Sequence, residues 1–413
     1  MHLPRPLASA LAAAALLSGT AAALAADKLV VTVGHDLAIA RPSETITVPW
    51  SEVNKALPSA LLQKITVRDA SGRSLPYQVT NIAPLAKDPQ NIGVSYGELI
   101  FQHDFAAGEK TAVFTVEKSE TVSPPFPVKA YARQVPERLG DFAWENDRMA
   151  HRTYGLPLAA QPAPGATKEI LVTSGLDLWC KRVDYPVVDR WYNKGHDHYH
   201  HDEGEGMDMY GVGPSRGCGG TGVWLDGRLY VSGNYARARV LANGPVRAVF
   251  ELEYDTWAAD GVYVSEIKRF TVDAGRNLDL VESTFTSTGK TPSLPVAIGL
   301  HKAPADKGQE PAVSLTPDSA AGSLAQWIAQ KTNGALGTAV VVVDPAAFAG
   351  FAEDARNSLL LAHATPGKPL AYLAGATWDR AGHHPDQAAW LAYVAAESAR
   401  ARAPVRVTLS TTR

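Results

Sequence analysis

Alternating apolar and polar residues, interrupted by short turn segments, dominate the first hundred positions that follow residue 26. Runs such as Leu29–Val33 and Ala112–Val116 are rich in β-branched residues, and glycine-containing segments such as Asp69–Gly72 separate them. A period of two is typical of half-buried strands, and the glycine segments are typical of turns. The pattern therefore predicts an N-terminal β-sandwich-like module over residues 26–130, with the proline-rich stretch Ser123–Pro127 at its boundary.

The remainder of the chain, residues 131–413, is also strand-rich. Val246–Tyr254 and Gly261–Val272 are long successive runs with the composition of paired antiparallel strands. Helical periodicity is sparse, and its best example is Gln387–Arg400, which is followed by a strand-like run at Val405–Leu409. We therefore expect an all-β-dominated protein with few helices, in which residues 131–413 form a large antiparallel β-sandwich that contains the catalytic region.

The N-terminus has the composition of a secretory signal peptide. Arg5 precedes an Ala- and Leu-rich run over Leu7–Leu24, and Ala23–Ala25 supplies a small-residue cleavage site. We expect residues 1–25 to be removed, which leaves a periplasmic or secreted protein without a membrane anchor.

Composition narrows the classes of partner. The formal net charge of the 413-residue chain is -3, so a basic surface for nucleic acid is not expected. Nine Trp and fourteen Tyr residues suit contacts with sugar rings. Cys180 and Cys218 are the only cysteines, and either one disulfide or two buried free thiols fits an oxidising compartment.

The segment from Trp144 to Gly155 concentrates residues that bind anions. If it is one continuous strand, alternation places one set of side chains on a common face, namely Trp144, Asn146, Arg148, Arg152 and Tyr154. If it is a helix, Arg148, His151 and Arg152 cluster at helical spacing, and a positive surface results in either case. The planar guanidinium of arginine pairs with carboxylate or sulfate through two hydrogen bonds. These residues are candidates for substrate binding, and a solvated face with local ion pairs is the alternative interpretation.

Asp177 and Lys181, four residues apart, are further candidates, with a surface ion pair as the alternative.

A histidine-rich tract over Lys194–Tyr210 holds four His residues and five carboxylates. Imidazole and carboxylate groups transfer protons near neutral pH and also bind divalent metals. We take His200, His201 and Tyr210 as candidate catalytic residues. A set formed by His198, His200 and Asp208 is the candidate site for zinc or calcium, although no zinc signature is present and the reaction could proceed without a cofactor. An exposed acidic loop is the alternative.

Three later positions complete the set of candidates. Arg216 lies in the glycine-dense stretch Gly211–Gly220, where the backbone allows close approach of a ligand. His301 follows a predicted strand and joins the candidate catalytic residues. Trp378 and His383 offer an aromatic ring and an imidazole for substrate binding.

Several of these segments together resemble a known family of secreted bacterial proteins, labelled domain of unknown function 4861. The resemblance covers most of the mature chain and depends on these blocks: Trp144–Gly155, Ser174–Trp179, Gly204–Asp208, Arg216–Gly220 and Gly244–Ala248. It implies a place in polysaccharide degradation, a galactose-mutarotase-like antiparallel sandwich, and the activity of an ulvan-oligosaccharide dehydratase. Such an enzyme removes water from a terminal uronic acid and leaves an unsaturated sugar.

Elimination across C4–C5 of a uronic acid requires a cation for the carboxylate, a base for the C5 proton and an acid for the departing oxygen. Arg148, Arg152 and Arg216 could supply the charge, and His200, His201, His301 and Tyr210 could transfer protons. We therefore predict an enzyme, a carbon–oxygen lyase acting on an acidic oligosaccharide, whose cleft joins the histidine tract to the Arg148–Tyr154 segment. A polysaccharide lyase, a glycoside hydrolase and a non-catalytic sugar-binding or mutarotase-like protein remain as alternatives.

Overall fold

A computed structural model describes residues 28–80, 97–165, 167–289, 291–303, 308 and 310–412. The predicted signal peptide, residues 1–25, lies outside the described residues. No helix in the described part of the chain is long and apolar enough to cross a membrane.

Strands form most of the regular structure, which confirms the all-β-dominated class. In chain order they are β1 (Lys28–Gly34), β2 (Arg41–Pro49), β3 (Ile65–Asp69), β4 (Ser74–Leu75), β5 (Tyr77–Thr80), β6 (Glu98–Phe105), β7 (Thr111–Lys118), β8 (Tyr131–Val135), β9 (Asp141–Glu145), β10 (Met149–Thr153), β11 (Asp177–Lys181), β12 (Gly206–Asp208), β13 (Cys218–Leu225), β14 (Arg228–Tyr230), β15 (Arg237–Ala242), β16 (Arg247–Ala259), β17 (Val262–Asp273), β18 (Leu278–Ser287), β19 (Leu294–His301), β20 (Ala312–Asp318), β21 (Ser323–Gln330), β22 (Gly334–Val342), β23 (Phe348–Glu353), β24 (Asn357–Ala364), β25 (Pro369–Trp378) and β26 (Arg406–Thr412). The α-helices are α1 (Trp50–Ala56), α2 (Leu156–Ala159), α3 (Val188–Lys194), α4 (His196–Tyr199) and α5 (Gln387–Arg402).

Two antiparallel sheets enclose the core of the N-terminal module. One has the strand order β26-β1-β7-β3-β4 and the other has the order β2-β6-β5. Their inner faces meet at rings such as Phe101 and Phe114, whose centroids are 5.0 Å apart. The last strand of the chain, β26, pairs along the full length of β1, from Thr412 opposite Lys28 to Arg406 opposite Gly34. The C-terminus thus completes the N-terminal module, a pairing that the linear division at residue 130 does not include.

Three further sheets surround the main hydrophobic core. An eight-stranded sheet has the order β15-β16-β17-β18-β25-β22-β21-β20, and a five-stranded sheet has the order β14-β13-β19-β24-β23. The third sheet, β12-β11-β10-β9-β8, carries most of the chemically interesting residues and is called the site sheet below. Helix α5 covers the outer side of the eight-stranded sheet through Trp390 and Val394, which pack on Leu278 and Leu373.

The site sheet is buried on both faces. One face contributes Phe142 and Leu178 to the main core. The opposite face packs Trp179 against Trp191 of α3 and Tyr199 of α4. Because every residue of β9, β10 and β11 is buried, polar side chains on these strands must find partners inside the protein.

Gly217 joins the site sheet to β13 through an unusually close backbone contact. It has a φ of +59°, and a Cβ atom at this position would lie 2.0 Å from the carbonyl oxygen of Leu176. That oxygen accepts a hydrogen bond from the backbone N–H of Cys218 at 2.9 Å. The left-handed conformation and the close approach both require glycine here.

We expect Gly217→Ala to destabilise the protein far more than Gly213→Ala. Gly213 also has a positive φ, +50°, but a Cβ atom there would meet nothing within 4 Å. Gly213→Ala should therefore cost only about 1–2 kcal/mol for the left-handed backbone, whereas Gly217→Ala adds a backbone clash and should exceed about 4 kcal/mol. Urea denaturation of both variants measures the difference, and equal losses would contradict the steric explanation.

Candidate functional site

The segment Trp144–Gly155 forms a hairpin, so the prediction of one continuous strand is wrong. Strand β9 ends before Asn146 and β10 begins at Met149. The side-chain Oδ1 of Asn146 accepts hydrogen bonds from the backbone N–H groups of Arg148, at 2.8 Å, and Met149, at 3.1 Å. This turn resets the alternation, which separates the five side chains that were expected on a single face.

Trp144 faces the main core, on the side of the sheet opposite to Arg152. In the register of the hairpin, Trp144 pairs with His151, and Arg152 pairs with Ala143. The indole of Trp144 stacks on His151 with centroids 5.1 Å apart, and its Nε1 donates to Asp279 Oδ2 at 2.9 Å. Only 1% of Trp144 is exposed, so it offers no platform to a sugar from outside.

Arg152 lies at the centre of a buried polar group that we call the Arg152 cluster, consisting of Arg152, Tyr154, Asp177, Tyr199 and Asp208. Its guanidinium donates to Asp177 Oδ2 at 2.6 and 3.0 Å and to Asp208 Oδ2 at 2.9 Å. Tyr154 donates its hydroxyl proton to the same Asp177 oxygen at 2.9 Å. Each of the five residues is at most 6% exposed. Predicted candidates therefore do converge here, but inside the protein.

The charges of the Arg152 cluster are satisfied internally. Burial acts to lower the pKa of Arg152, yet Tyr154, Asp177 and Asp208 together hold it well above its ordinary value. The nearby carboxylate of Asp141 is 4.0 Å from the guanidinium, and burial raises its pKa to about 6. A cation held by this many acidic partners has little remaining attraction for the carboxylate of a ligand.

His200 borders the Arg152 cluster from the solvent side. Its side chain is 27% exposed, its Nε2 lies 3.9 Å from Asp208 Oδ2, and its Nδ1 lies 3.3 Å from the Asp208 carbonyl oxygen. His201, by contrast, is exposed. The histidine tract is therefore adjacent to one end of the Arg152–Tyr154 segment, and α4 forms part of the tract.

Tyr210 and His301 follow close by along the backbone. The N–H of Tyr210 contacts Asp208 Oδ1 at 3.3 Å, but its buried hydroxyl has no hydrogen-bond partner among the described residues. His301 Nδ1 is 2.7 Å from the carbonyl oxygen of Gly211, and burial lowers the pKa of this imidazole. Because a carbonyl oxygen accepts only, Nδ1 carries the proton and Nε2 is the basic nitrogen of neutral His301.

The residues proposed for a metal do not gather into one site. His198 Nδ1 lies 3.2 Å from Glu203 Oε2, while His200 is directed to Asp208. Within the described ranges, no group of three or more His, Cys, Asp or Glu side chains is arranged to hold a metal ion. The predicted set His198, His200 and Asp208 is not such a group, and the binding of zinc or calcium stays a prediction.

A groove of about 530 Å³ lies at the other end of β10 and β11. Arg148 lies in the turn directly before β10, four residues from Arg152, which corresponds to about 13 Å of extended chain. The groove, called the Arg148 groove below, is lined by Asp147, Arg148, Lys181, Arg182, Val183, Asp184, Tyr185, Ala381 and His383.

Arg148 is the cation of this groove with the most available charge. It is half-buried, and within the described part of the chain no carboxylate lies within ion-pair distance of its guanidinium. Its Nε is buried without a hydrogen-bond partner among these residues, and Nη1 contacts the ring of His383. Partial burial and the charge of Arg148 lower the pKa of His383 below its ordinary value, which favours the neutral imidazole.

Lys181 forms a buried ion pair at the base of the groove. Its Nζ donates to Glu145 Oε2 at 2.7 Å and to the carbonyl oxygen of Asn146 at 2.6 Å, and both charged side chains are 1% exposed. Glu145 also accepts hydrogen bonds from the backbone N–H groups of Val187 and Val188 at the start of α3. The expected pairing of Lys181 with Asp177 is not observed, because Asp177 binds Arg152.

The far wall of the groove contains residues that the sequence did not single out. Tyr185 is 42% exposed and donates its hydroxyl proton to Glu205 Oε1 at 2.9 Å. The hydrogen bond to Glu205 raises the pKa of Tyr185. Arg182 pairs with Asp202 at 2.8 Å. Tyr185 lies outside the dense blocks of charge, and only the proximity of Arg182 in the sequence could have indicated it.

Three candidates for substrate binding have internal roles. Arg216 is 1% exposed and donates to Ser174 Oγ at 2.7 Å, and burial lowers its pKa to about 10. Trp378 is fully buried and donates to the carbonyl oxygen of Asn333 at 2.9 Å. Asn146 Nδ2 donates to two backbone carbonyl oxygens at 2.7 Å.

Both cysteines are buried free thiols, so the second of the two sequence alternatives is observed.

Comparison with known proteins places the chain in a family. The chain belongs to the family described as Domain of unknown function (DUF4861), whose profile matches residues 33–407. It is similar to "Uncharacterized protein P7" of Formosa agariphila, with 28% identity over 404 residues, which cover 96% of this chain and 97% of the relative. The resemblance inferred from the sequence blocks is thereby confirmed at the level of the family.

The chain is also similar to two solved structures from Enterococcus faecalis. An α-mannosidase has a TM-score of 0.40 and 9% identity over 94% of this chain and 46% of the other. A protein in glycosyl hydrolase family 38 has a TM-score of 0.41 and 10% identity over 94% of this chain and 48% of the other. The chain spans about half the length of these structures, and scores below 0.5 carry no argument about activity.

We expect Arg152→Leu to destabilise the protein by about 3–5 kcal/mol, because it leaves Asp177 and Asp208 buried without their cation. Arg182→Leu is the matched control, since the Arg182 side chain is 42% exposed in its pair with Asp202 and should cost less than about 1 kcal/mol. Urea denaturation of both variants measures the difference. Similar losses would mean that the Arg152 cluster adds little to stability.

Proposed function

We propose that this protein is a periplasmic or secreted carbohydrate-active enzyme that eliminates water across C4–C5 of a terminal uronic acid in an acidic oligosaccharide. The resemblance of the sequence blocks to ulvan-oligosaccharide dehydratases motivates the reaction class. The Arg148 groove is the site we assign to it. Its volume of about 530 Å³ falls in the range of ordinary small-ligand sites.

The observation that carries this proposal is the guanidinium of Arg148, which lines the groove without a carboxylate partner among the described residues. The C5 proton of a uronic acid becomes acidic only when the adjacent carboxylate is neutralised. A planar, permanently charged guanidinium supplies that charge and holds the enolate-like transition state. In this respect the groove is better suited than the Arg152 cluster, where Asp177 and Asp208 already occupy the cation.

His383 is the proposed base. Burial and the charge of Arg148, which contacts the ring, lower the pKa of His383 and favour a neutral imidazole with one unprotonated nitrogen before substrate binds. A substrate carboxylate that takes the donors of Arg148 would release this nitrogen to accept the C5 proton. Binding and activation of the base would thus be coupled.

Tyr185 is the proposed acid. The pKa of its hydroxyl is raised by the hydrogen bond to Glu205, so it retains its proton at neutral pH. In the proposed step, the C5–H electrons form the C4=C5 double bond as the proton moves to His383. The C4–O bond breaks, and the departing hydroxyl takes a proton from Tyr185 and leaves as water.

We expect the purified protein to convert uronic-acid-terminated oligosaccharides to products 18 Da lighter, which is the mass of one water lost in the proposed elimination. Ultraviolet absorbance would rise with the conjugated double bond. A rise in absorbance with shortened chains would indicate a polysaccharide lyase. Shortened chains without absorbance would indicate a hydrolase, and bound sugar without turnover a binding or mutarotase-like protein.

Variants of His383 and His200 test whether the reaction takes place in the Arg148 groove or beside the Arg152 cluster. Arg148→Gln and His383→Gln should each lower kcat/KM about a hundredfold or more. His200→Gln is the matched control and should retain activity within about tenfold, since His200 does not line the groove. The reverse result would assign proton transfer to the histidine tract and remove His383 from the mechanism.

The pH profile gives an independent check on the base. The pKa of His383 lies below its ordinary value of 6.5, and a base acts in its neutral form. We therefore expect kcat/KM to stay constant as pH falls through 6.5 and to decline only at lower pH. Histidine NMR on the free protein should give the same midpoint for His383. An acid limb above pH 6.5 would assign the base to another group.

A further inference from the structure

A second cavity, of about 360 Å³, lies where the N-terminal module meets the eight-stranded sheet and helix α5. Arg41 and Glu44 reach it from β2, Thr271 and Asp273 from β17, and Arg400 from α5. It is distinct from the Arg148 groove, with which it shares no lining residue. We call it the junction cavity.

Four arginines line the junction cavity, namely Arg41, Arg247, Arg276 and Arg400. Three carboxylates lie within ion-pair distance of them, namely Glu44, Asp273 and Glu397. Glu44 is shared, because it accepts from Arg41 at 3.0 Å and from Arg400 at 2.6 Å and lies 4.0 Å from Arg276. The guanidiniums therefore outnumber the carboxylates that neutralise them.

Two of these arginines retain capacity to donate. Arg400 is 2% exposed, and its Nε has no hydrogen-bond partner among the described residues. Among the described residues, Arg276 has one carboxylate at short distance, Glu397 at 2.7 Å, and a second, Glu44, at 4.0 Å. A buried donor without a partner and an excess of positive charge are both unfavourable, and an anion in the cavity would relieve both.

The floor of the junction cavity is apolar. Leu278 and Leu280 from β18 and Leu373 from β25 contribute to it, with Val343 and Ala371 beside them. A fully hydrated inorganic anion gains nothing from such a surface. A ligand that combines an anionic group with an apolar face or chain would fill both parts, and the planar guanidinium favours a carboxylate as the anionic group.

We infer that the junction cavity binds a small carboxylate that has an apolar face or chain. Two sources share this chemistry: a sugar acid, whose ring has an apolar face, and a short-chain alkyl acid. A bound carboxylate would contact the N-terminal module, the eight-stranded sheet and α5 at once. It would therefore raise the free energy of unfolding, and the gain would grow with the logarithm of the ligand concentration once that concentration exceeds Kd.

Isothermal titration calorimetry of the purified protein with sodium glucuronate and with sodium hexanoate tests this inference, with sodium chloride of equal ionic strength as the reference. We expect saturable binding of at least one acid. Binding of glucuronate alone identifies a saccharide as the source, and binding of hexanoate alone identifies an alkyl acid. If neither acid binds saturably, the inference is overturned.

Two variants locate the binding. Arg276→Gln should weaken it about tenfold or more, the effect of losing one charge-assisted hydrogen bond. Thr271→Glu removes no arginine but adds a carboxylate to the cavity lining, and it should abolish binding. Thr286→Glu is the matched control, because Thr286 is exposed on β18 and does not line the cavity. Circular dichroism checks folding, and Thr271→Glu decides the question if Arg276→Gln does not fold.

Arg148→Gln separates the two cavities, because it removes the guanidinium proposed to hold a uronate in the Arg148 groove. Binding of the acid to the junction cavity should persist in this variant, and addition of Thr271→Glu should abolish it. Loss of binding in Arg148→Gln, or unchanged affinity in Thr271→Glu, would overturn the inference because the acid would then occupy another site. The result does not depend on whether the Arg148 groove catalyses elimination.

Discussion

The buried ion pair between Glu145 and Lys181 is the constraint on which the geometry of the Arg148 groove depends. Its two charges are removed from solvent, so each must be neutralised and hydrogen-bonded within the protein. Glu145 meets this need with Lys181 and with the backbone N–H groups that open α3. Lys181 meets it with Glu145 and the carbonyl oxygen of Asn146. One pair thus holds the hairpin turn, the end of β11 and the start of α3 together.

Two of these elements, the hairpin turn and the end of β11, lead directly into walls of the groove. The hairpin turn carries Arg148, and the chain beyond β11 carries Arg182 and Tyr185. Were the pair replaced by apolar residues, the site sheet could remain packed, since such replacements are often tolerated. The turn would then lose its hydrogen bond from Lys181 to Asn146, and the position of Arg148 would be less well defined. We therefore regard Glu145 and Lys181 as positioning residues for the proposed reaction.

Arg148 and Arg152 show why the sequence predicted the strands more accurately than the site. The period-two runs and the helical spacing of apolar residues near the C-terminus are local patterns, and α5 is observed at Gln387–Arg402. Availability of charge is not a local property. Arg152 is buried in the middle of the site sheet and is therefore paired, whereas Arg148 lies in the turn, where a half-buried guanidinium can remain without a carboxylate. The three-residue turn between β9 and β10, which alternation alone does not predict, places Arg148 outside the strand that holds Arg152.

The groove also depends on how the site sheet packs against the eight-stranded sheet. Arg148 lies in the turn between β9 and β10 of the site sheet, and His383 follows β25 of the eight-stranded sheet. Polar contacts within a largely apolar interface fix the position of one sheet relative to the other. Asn146 donates to the carbonyl oxygens of Asp273 and Arg276, and Trp144 donates to Asp279. Burial raises the pKa of Asp279 to about 7, so this carboxyl group retains its proton in mildly acidic solution.

As pH rises toward 7, Asp279 must either ionise inside the buried interface or keep a proton that a solvent-exposed carboxyl group would already have lost. Since its pKa is higher in the folded than in the unfolded chain, its contribution to stability is present below about pH 4 and is lost as pH approaches 7. The contacts of Trp144 and Asn146 cross the same interface, on whose two sides Arg148 and His383 lie. The stability of this interface therefore depends on a buried carboxyl group that lies far from both residues in the sequence and that no local pattern near them indicates.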